Sequence, residues 1–530
     1  MDRLIASTCA LLLVAGCVDE ADPAGTDPAG SDPAELRSTG NDGVFAFTTE
    51  GVVRGVAVGT THQFRGIPYA AAPVGARRWA PPERPARHAA ILDATQFASH
   101  CPQIAGPFGQ ASTTEDCLFL NVFTPRRFGV LRPVMVWIHG GALVTGESND
   151  YDASRLVDQG DVIVVTINYR LGALGFTSHP ALSAESPDHA SGNYGLLDQQ
   201  EALRWVQRNI LRFGGDPTRV TIFGESAGGL SVHSQLASPG SHGLFQRAIV
   251  ESGAYQLAQP SLAAAEAAGS AFATSAGCTD QSAACLRALT VEQILAHQNG
   301  ASPVVDGAFL HESVKDAFAS GAFNRVPVME GANHDEWRLF VAGTVLVTGP
   351  GTAEGYPAAI QATLGIPAAA VPLFASQYPL ASFASPDLAL SALGTDGIFD
   401  CNARFAAHLL SAFVPTFAYE FNDPNAPERF LPPVNFPYAS AHASEIQYLF
   451  DLPVAVPAPA LDRDQRRLSD AMIAYWTSFA RTGQPAARTT PAWPRYTAER
   501  DTLQSLVPPT PHPTAEFATD HRCSFWDSLR

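Results

Sequence analysis

The stretch at residues 220–228 constrains the fold of this chain more than any other. A short apolar run, Val220-Thr221-Ile222-Phe223, leads directly into Gly224-Glu225-Ser226-Ala227-Gly228, and a run of small residues follows. This order predicts a strand, a sharp turn and a helix. Glycines on both sides of Ser226 leave room for a strained turn that lifts the serine hydroxyl clear of a sheet. The pattern is that of a nucleophile elbow with Ser226 as the nucleophile, and an ordinary glycine-rich turn is the alternative.

Other apolar runs predict the sheet that carries this turn. Short runs rich in β-branched residues are typical of buried central strands, and a helix is predicted between them at residues 197–209. Alternating strands and helices indicate an α/β fold with a large, mostly parallel sheet and helices on both faces. Alternating valines near the start of the folded sequence predict a small N-terminal antiparallel sheet. The central runs are Val134-Met135-Val136-Trp137-Ile138, Val162-Ile163-Val164-Val165-Thr166-Ile167 and Ala248-Ile249-Val250.

Composition indicates one large globular domain at residues 41–530. Hydrophobic residues make up 46% of the 530 residues and charged residues only 16%, which is enough apolar material for a large core. Acidic residues outnumber basic ones by 51 to 33, and the net charge of -18 would repel a phosphate backbone. Nucleic acid is therefore excluded as an expected partner.

The first forty residues predict export and membrane attachment. Residues 1–17 begin with a basic Arg3, continue with an apolar run too short to span a bilayer, and end in Val14-Ala15-Gly16-Cys17. This ending is similar to the lipobox of bacterial lipoproteins, which implies cleavage before Cys17 and its acylation. Ordinary secretion is the alternative. Residues 18–40 repeat Asp-Pro-Ala with Gly and Ser, so we expect a disordered acidic tether.

Motifs spread along almost the whole chain resemble those of the type B carboxylesterases, the cholinesterase-like branch of the α/β-hydrolases. The resemblance implies an α/β-hydrolase fold and ester hydrolysis by a serine, a histidine and a glutamate. It implies no cofactor and no metal. The motifs are Phe64-Arg65-Gly66-Ile67-Pro68-Tyr69-Ala70, Glu115-Asp116-Cys117-Leu118-Phe119-Leu120-Asn121-Val122, Asn168-Tyr169-Arg170-Leu171-Gly172, Gly192-Asn193-Tyr194-Gly195-Leu196-Leu197-Asp198-Gln199, Phe213-Gly214-Gly215-Asp216-Pro217 and Tyr475-Trp476-Thr477-Ser478-Phe479-Ala480.

A glycine-rich loop predicts the oxyanion hole. Ile138-His139-Gly140-Gly141-Ala142 follows a predicted strand, where this fold places backbone donors for a tetrahedral intermediate. By resemblance the donors are the N–H groups of Gly141, Ala142 and Ala227. The family often has glycine where Ala142 stands, and its Gly-Gly-Ala loops are associated with room for bulky alcohols.

His442 is the predicted general base. It ends a proline-rich loop and opens a His-x-x-Glu-Ile motif that matches the family's residue for residue. The acid must lie between the serine and the histidine in this fold, and Glu336 matches the family's Asp-Glu-Gly site, although Trp337 replaces the glycine. The other histidines after this acid are His408, His512 and His521, and the competing acids are Asp335 and Asp396. Glu225 and Ser252 match supporting positions near the histidine, and plain packing is the alternative role for both.

Six of the eight cysteines remain after Cys9 and Cys17 are assigned to the N-terminal segment. An even number behind an export signal indicates disulfides, and the sequence alone leaves the pairing open. The resemblance implies the pairs Cys101–Cys117, Cys278–Cys285 and Cys401–Cys523. Metal binding is the alternative, but there is no Cys-x-x-Cys motif to support it.

These observations predict a lipid-anchored carboxylesterase that acts on small-molecule esters through an acyl-enzyme. The segment between Cys101 and Cys117 contains Phe108 but no tryptophan, whereas cholinesterases bind choline with a tryptophan there, so a quaternary ammonium substrate is not expected. A lipase, or a hydrolase for a specialised natural-product ester, is the enzymatic alternative. A non-catalytic binding protein on the same fold is the other alternative. The natural ester and the oligomeric state stay open.

Overall fold

A sheet of thirteen strands forms the frame of the described residues, which in this computed structural model are 43–127, 129–453 and 455–530. The predicted signal segment 1–17 with Cys17, and the tether at 18–40, lie outside these residues. In chain order the strands are β1 Val44–Phe47, β2 Val52–Val58, β3 Thr61–Pro68, β4 Leu92–Asp93, β5 Phe119–Pro125, β6 Arg132–Ile138, β7 Ile163–Ile167, β8 Gly215–Glu225, β9 Arg247–Glu251, β10 Val328–Asn333, β11 Thr416–Phe421, β12 Leu503–Leu506 and β13 His512–Thr514.

Helices connect and cover these strands. They are α1 Ser154–Gly160, α2 Gly172–Phe176, α3 Pro180–Glu185, α4 Tyr194–Asn209, α5 Ala227–Ala237, α6 Leu262–Ser275, α7 Ala283–Ala288, α8 Val291–His297, α9 Val314–Ser320, α10 Arg338–Thr348, α11 Tyr356–Leu364, α12 Val371–Gln377, α13 Pro386–Gly394, α14 Cys401–Ser411, α15 Arg463–Thr482, α16 Phe517–Asp520 and α17 Cys523–Asp527. A π-helical turn, Thr395–Asp400, joins α13 to α14.

The centre of the sheet is parallel and buried on both faces. The spatial order β7-β6-β8-β9-β10-β11-β12 is parallel throughout, and every residue of β6 is buried. Successive side chains of a strand point to opposite faces, so Val136 packs in one core with Leu203 of α4 and Leu230 of α5. Trp137 packs in the other core with Trp476 of α15. The predicted α/β fold with helices on both faces is therefore confirmed.

The N-terminal strands are antiparallel and continue the large sheet. β1 pairs with β2, β2 with β3, and β3 with β5, all antiparallel, and β5 joins the parallel centre through β7. The predicted small antiparallel sheet is thus present at one edge of the main sheet. β8 is longer than its apolar run because Gly215 already pairs with Arg132 of β6, and α4 begins at Tyr194 rather than at residue 197.

Three disulfides join the cysteine pairs that the resemblance implies. Cys101–Cys117 closes a short loop beside the sheet, Cys278–Cys285 bridges the α6–α7 connection, and Cys401–Cys523 ties α14 to α17. Within the described ranges, no single helix has the length and apolarity needed to cross a bilayer. One bent pair, Tyr356–Leu364 with Ala368–Ser382, passes that test by length and composition only.

Candidate active site

Ser226 lies on a strained turn between β8 and α5, as the sequence predicts. Its backbone has φ of 55° and ψ of -120°, a conformation that costs a non-glycine residue free energy. Its N–H donates to the carbonyl of Glu251 at 2.8 Å. A Cβ atom would lie 2.5 Å from the Ile138 carbonyl oxygen at Gly224 and 1.9 Å from it at Gly228. Both glycines are required because the turn crosses directly over the end of β6.

His442 is paired with Glu336. The imidazole Nδ1 lies 2.5 Å from Glu336 Oε2, and the His442 N–H donates to the Glu336 carbonyl at 3.3 Å. Both side chains are buried, with Glu336 fully so. The imidazole Nε2 has no hydrogen-bond partner among the described residues. The carboxylate therefore fixes the orientation of the ring and leaves Nε2 available.

Two further contacts hold the carboxylate of Glu336. Its Oε1 accepts from the Asn333 N–H at 2.7 Å and from the Ser252 hydroxyl at 2.5 Å. Ser252, directly after β9, thus contacts the carboxylate that pairs with His442, and it stands at a position where the resemblance implies a supporting residue. Sequence reasoning did not single out Asn333.

The competing acids and bases face other partners. Asp335 pairs with Arg338 at 2.7 Å, and Asp396 pairs with His521 at 2.8 Å. His408 and His512 are exposed on the surface. Of the three acids considered from sequence for this role, Glu336, Asp335 and Asp396, the structure brings only Glu336 against His442.

Trp337, which stands where the family has glycine, fits without backbone strain. Its φ of -74° and ψ of -6° are right-handed helical, and its N–H donates to Thr395 Oγ1 at 2.9 Å. The indole stacks on Phe340 with ring centroids 4.4 Å apart. A Cβ atom at Gly394 would lie 2.2 Å from the Trp337 ring. A glycine on α13 therefore provides the space that the tryptophan occupies.

The loop after β6 exposes backbone donors at the site. Gly141 and Ala142 both have positive φ, at 97° and 55°. A Cβ atom at Gly141 would lie 2.2 Å from the Thr145 carbonyl oxygen, so this position requires glycine. The N–H groups of Gly141, Ala142 and Ala227 donate to no other described residue, and Ala227 begins α5, where first-turn donors are free. These three N–H groups can serve a ligand.

Buried polar contacts hold this loop in place. His139 stacks on Tyr169 with ring centroids 4.5 Å apart, and burial lowers the pKa of His139 to about 4, so the ring is neutral at pH 7. Its Nδ1–H therefore donates to the Gly140 carbonyl at 2.8 Å. From the Cys101–Cys117 loop, Gln103 Oε1 accepts from the Gly146 N–H at 2.7 Å. Sequence reasoning did not single out Gln103.

Three more glutamates lie buried around the pair. Glu225 Oε1 faces His442 Nε2 at 3.1 Å, and burial, with Glu336 and Glu251 nearby, raises the pKa of Glu225 well above its usual value. Burial raises the pKa of Glu251 to about 8 and that of Glu445 well above its usual value. Asn333 Nδ2 donates to Glu445 at 2.5 Å. The His-x-x-Glu spacing after His442 was the sequence signal for Glu445.

Ser226 and His442 line one small cavity. Its volume is about 90 Å³, and its walls are mostly apolar. Gly141 and Ala142 line it as well, and Leu339, Phe340 and Val144 enclose it. A second cavity of about 300 Å³ adjoins it. The predicted nucleophile, base and oxyanion loop thus face one space.

One cluster among the described residues could geometrically hold a metal ion. Donor atoms of His334, Glu420 and His521 lie within 4.8 Å of one another. These atoms are already hydrogen-bonded together, since Glu420 Oε1 lies 2.6 Å from His334 Nδ1 and 2.8 Å from His521 Nε2. Ion pairing accounts for the cluster, which lies outside the cavity of Ser226.

The strand-to-helix serine turn and the order of serine, acid and histidine along a largely parallel sheet place the protein among the α/β-hydrolases. The sequence profile of the Carboxylesterase family matches residues 44–526. An acylcarnitine hydrolase of Mus musculus is 37% identical over 478 residues, 84% of each chain. The para-nitrobenzyl esterase of Bacillus subtilis is 36% identical over 482 residues, 86% of this chain and 93% of the relative. A cocaine esterase of Homo sapiens is 34% identical over 505 residues, 89% of this chain and 88% of the relative.

The chain belongs to the carboxylesterase family, and it is a carboxylic ester hydrolase.

Proposed function

We propose that the enzyme hydrolyses small-molecule esters through an acyl-enzyme on Ser226, with His442 as general base and Glu336 as its orienting acid. The observation that supports this most is the pairing of His442 Nδ1 with Glu336 in the cavity that Ser226 lines. Nδ1–H donation to a carboxylate leaves Nε2 as the basic nitrogen, which is the tautomer that a serine nucleophile needs.

The reaction follows from this geometry in two steps. Nε2 takes the Ser226 proton as the hydroxyl oxygen attacks the ester carbonyl, and the N–H groups of Gly141, Ala142 and Ala227 stabilise the oxyanion. The C–O bond to the alcohol then breaks, and Nε2 returns the proton to the departing oxygen. Water repeats the sequence, releasing the carboxylic acid and restoring the Ser226 hydroxyl.

The size of the cavity that Ser226 lines favours esters with short acyl groups. A space of about 90 Å³ between Leu339, Phe340 and Val144 accommodates a few carbons, and we assign the acyl group to it. We therefore expect p-nitrophenyl acetate or propionate to be cleaved with a kcat/KM at least about tenfold above that for the octanoate. A preference for the octanoate would instead favour the lipase alternative.

The test of the mechanism is hydrolysis of p-nitrophenyl acetate by the full chain and by Ser226→Ala. Loss of the nucleophile should lower kcat by at least about 10⁴-fold. Glu336→Gln should lower it by about 10⁴-fold, because the imidazole then loses its orienting acceptor. A fluorophosphonate should label wild type at Ser226, as located by peptide mass spectrometry. Undiminished turnover by Ser226→Ala would exclude this mechanism, and a folded but inactive wild type would favour the binding-protein alternative.

We also propose export and attachment to a bacterial membrane through a lipid on Cys17. The proposal rests on the lipobox-like ending of residues 1–17 and is supported by three disulfides, which persist in oxidising compartments. Wild type expressed in a bacterium should incorporate labelled palmitate and sediment with membranes. Cys17→Ser should lose the label and move to the soluble fraction, and equal labelling of both would contradict the anchor.

A further inference from the structure

One wall of the cavity that Ser226 lines is an aromatic ring packed against other rings. Phe340 of α10 is half-buried in this wall, and its ring centroid lies 5.1 Å from that of His442. Phe340 also stacks on Phe399 of the π-helical turn, with ring centroids 5.9 Å apart. The position of the Phe340 ring therefore determines how far the cavity extends from Ser226.

Trp337 packs against this wall without lining the cavity. Its indole stacks on the ring of Phe340, with centroids 4.4 Å and planes 29° apart, and it lies 6.1 Å from the ring of Phe399. Trp337 is only 4% exposed, and it is not among the described residues that line the cavity. The indole therefore supports the cavity wall without contacting the substrate.

The backbone of Gly394, the last residue of α13, confines this indole. A Cβ atom at Gly394 would lie 2.2 Å from Trp337 Cγ, so the ring packs directly on the chain. The Trp337 N–H donates to Thr395 Oγ1 at 2.9 Å, which fixes the same residue to the π-helical turn. An indole packed against both this backbone and Phe340 leaves no space into which Phe340 can move.

The indole occupies a position at which this chain departs from its family. Trp337 stands where the family has glycine, and a glycine there would leave the space beside Phe340 empty. An apolar space of this kind stays dry and takes up apolar groups. The tryptophan therefore closes an extension that the cavity would otherwise have.

We propose that Trp337 is the specificity-determining residue that limits the length of the acyl group. It fills the space at Gly394, holds Phe340 in the cavity wall and so keeps the cavity of Ser226 at about 90 Å³. This inference rests on the proposed function, because it concerns the acyl group of the same substrate. Loss of the indole lets the Phe340 ring turn away from Ser226 and opens the cavity to longer acyl chains.

The test measures kcat/KM of the full chain for p-nitrophenyl octanoate and p-nitrophenyl acetate. Trp337→Ala should raise the octanoate-to-acetate ratio at least about tenfold above that of wild type. The ratio cancels any loss of activity that affects both esters equally. Trp337→Leu should raise the ratio by a smaller factor, and it keeps the test available if Trp337→Ala fails to fold, because a smaller void costs less stability.

Trp526→Ala is the matched control. The Trp526 indole also packs on a glycine of the π-helical turn, since a Cβ atom at Gly397 would lie 2.3 Å from the ring. Its ring neighbours include Phe374 and Tyr378 rather than Phe340. The substitution therefore removes the same side chain beside the same turn, and it should leave the ratio within about twofold of wild type.

Esters that vary the alcohol locate the effect. The kcat/KM ratio of octyl acetate to ethyl acetate should change by less than about twofold in Trp337→Ala, because only the acyl side is enlarged. An unchanged octanoate-to-acetate ratio in the folded Trp337 variants, an equal gain in Trp526→Ala, or an equal gain for octyl acetate would overturn the proposal. Failure of wild type to cleave p-nitrophenyl acetate would instead refute the proposed function, so the two failures are distinguishable.

Discussion

Glu225 lies 3.1 Å from the nitrogen that must exchange protons, so its ionisation state determines whether it competes with the substrate. Burial, with Glu336 and Glu251 nearby, raises the pKa of Glu225 well above its usual value and so favours the neutral carboxyl. A neutral group beside Nε2 does not trap the imidazolium in an ion pair. Gly140 makes this approach possible, because a Cβ atom there would lie 2.7 Å from Glu225 Oε2.

Glu225→Gln should therefore retain most of the activity. The amide reproduces the shape and charge of the protonated acid, so we expect kcat within about fivefold of wild type. Glu225→Ala should lose about a hundredfold, because the space beside His442 is left unfilled and the ring can shift. The measurement is steady-state hydrolysis of p-nitrophenyl acetate by both variants. Equal, large losses in both would mean that the ionised carboxylate is needed.

At the level of elements, a buried ion-pair network fixes the C-terminal segment to the sheet. His521 lies between α16 and α17, with Nδ1 at 2.8 Å from Asp396 and 3.0 Å from Asp400, and Nε2 at 2.8 Å from Glu420 of β11. These carboxylates outweigh the effect of burial and raise the pKa of His521 well above its usual value. The π-helical turn that carries both aspartates also carries Phe399, whose ring packs 4.9 Å from that of His442. The network therefore holds in place the turn whose Phe399 ring packs against His442.

His521→Asn should destabilise the protein strongly. Removing the cation leaves buried carboxylates without their partner, and breaking a buried pair of this kind costs about 3–5 kcal/mol of the free energy of unfolding. Urea denaturation followed by fluorescence gives this value. His334→Asn is the control, because the side chain of His334 is 36% exposed beside the same Glu420 and should contribute less than about 1 kcal/mol. Equal midpoints for His521→Asn and wild type would show that the network contributes no stability.

The elements that the sequence predicted best are those with a local signal. The β-branched runs became β6 to β9, and Ser226, His442 and Glu336 lay in motifs where residue type and spacing depend on the chemistry. The space for Trp337 was not predictable, because it comes from Gly394, 57 residues further along the chain. The pairing of His521 with Asp396 was missed for the same reason, since partners 125 residues apart leave no local pattern.

For the whole molecule, buried acids with displaced pKa values set the pH range of stability. Glu251 contributes to the loss of stability as pH rises. Its side chain is fully buried, and only its Oε1 accepts a hydrogen bond, from Trp476 Nε1 at 2.8 Å. Its folded pKa of about 8 means that the native state keeps a proton that the unfolded chain releases above its ordinary pKa. Stability from this group therefore falls as pH rises from about 4.5 to about 8. His521 acts in the same direction, because its stabilisation is complete below about pH 6.5 and is lost as pH rises through its raised pKa.

Glu420 determines how the stability of the protein falls at low pH. The two histidines that contact it lower its pKa to about 2, so its stabilisation is complete above about pH 4.5 and is lost as pH falls towards 2. Taken together, these groups predict maximum stability near pH 4.5, above the range in which Glu420 loses its stabilisation and below the range in which Glu251 loses its own. Thermal unfolding measured from about pH 3 to 9 should show the midpoint falling above about pH 5, and more steeply above about pH 6.5, where His521 adds to the loss.

Glu251→Gln should flatten this alkaline decline. The amide carries no proton to lose, so the variant should recover up to about 1.4 kcal/mol per pH unit between pH 4.5 and 8. Glu354→Gln is the matched control, because it removes the same charge from the exposed surface and should leave the slope unchanged. Identical pH slopes for Glu251→Gln and wild type would mean that Glu251 is already ionised in the native state.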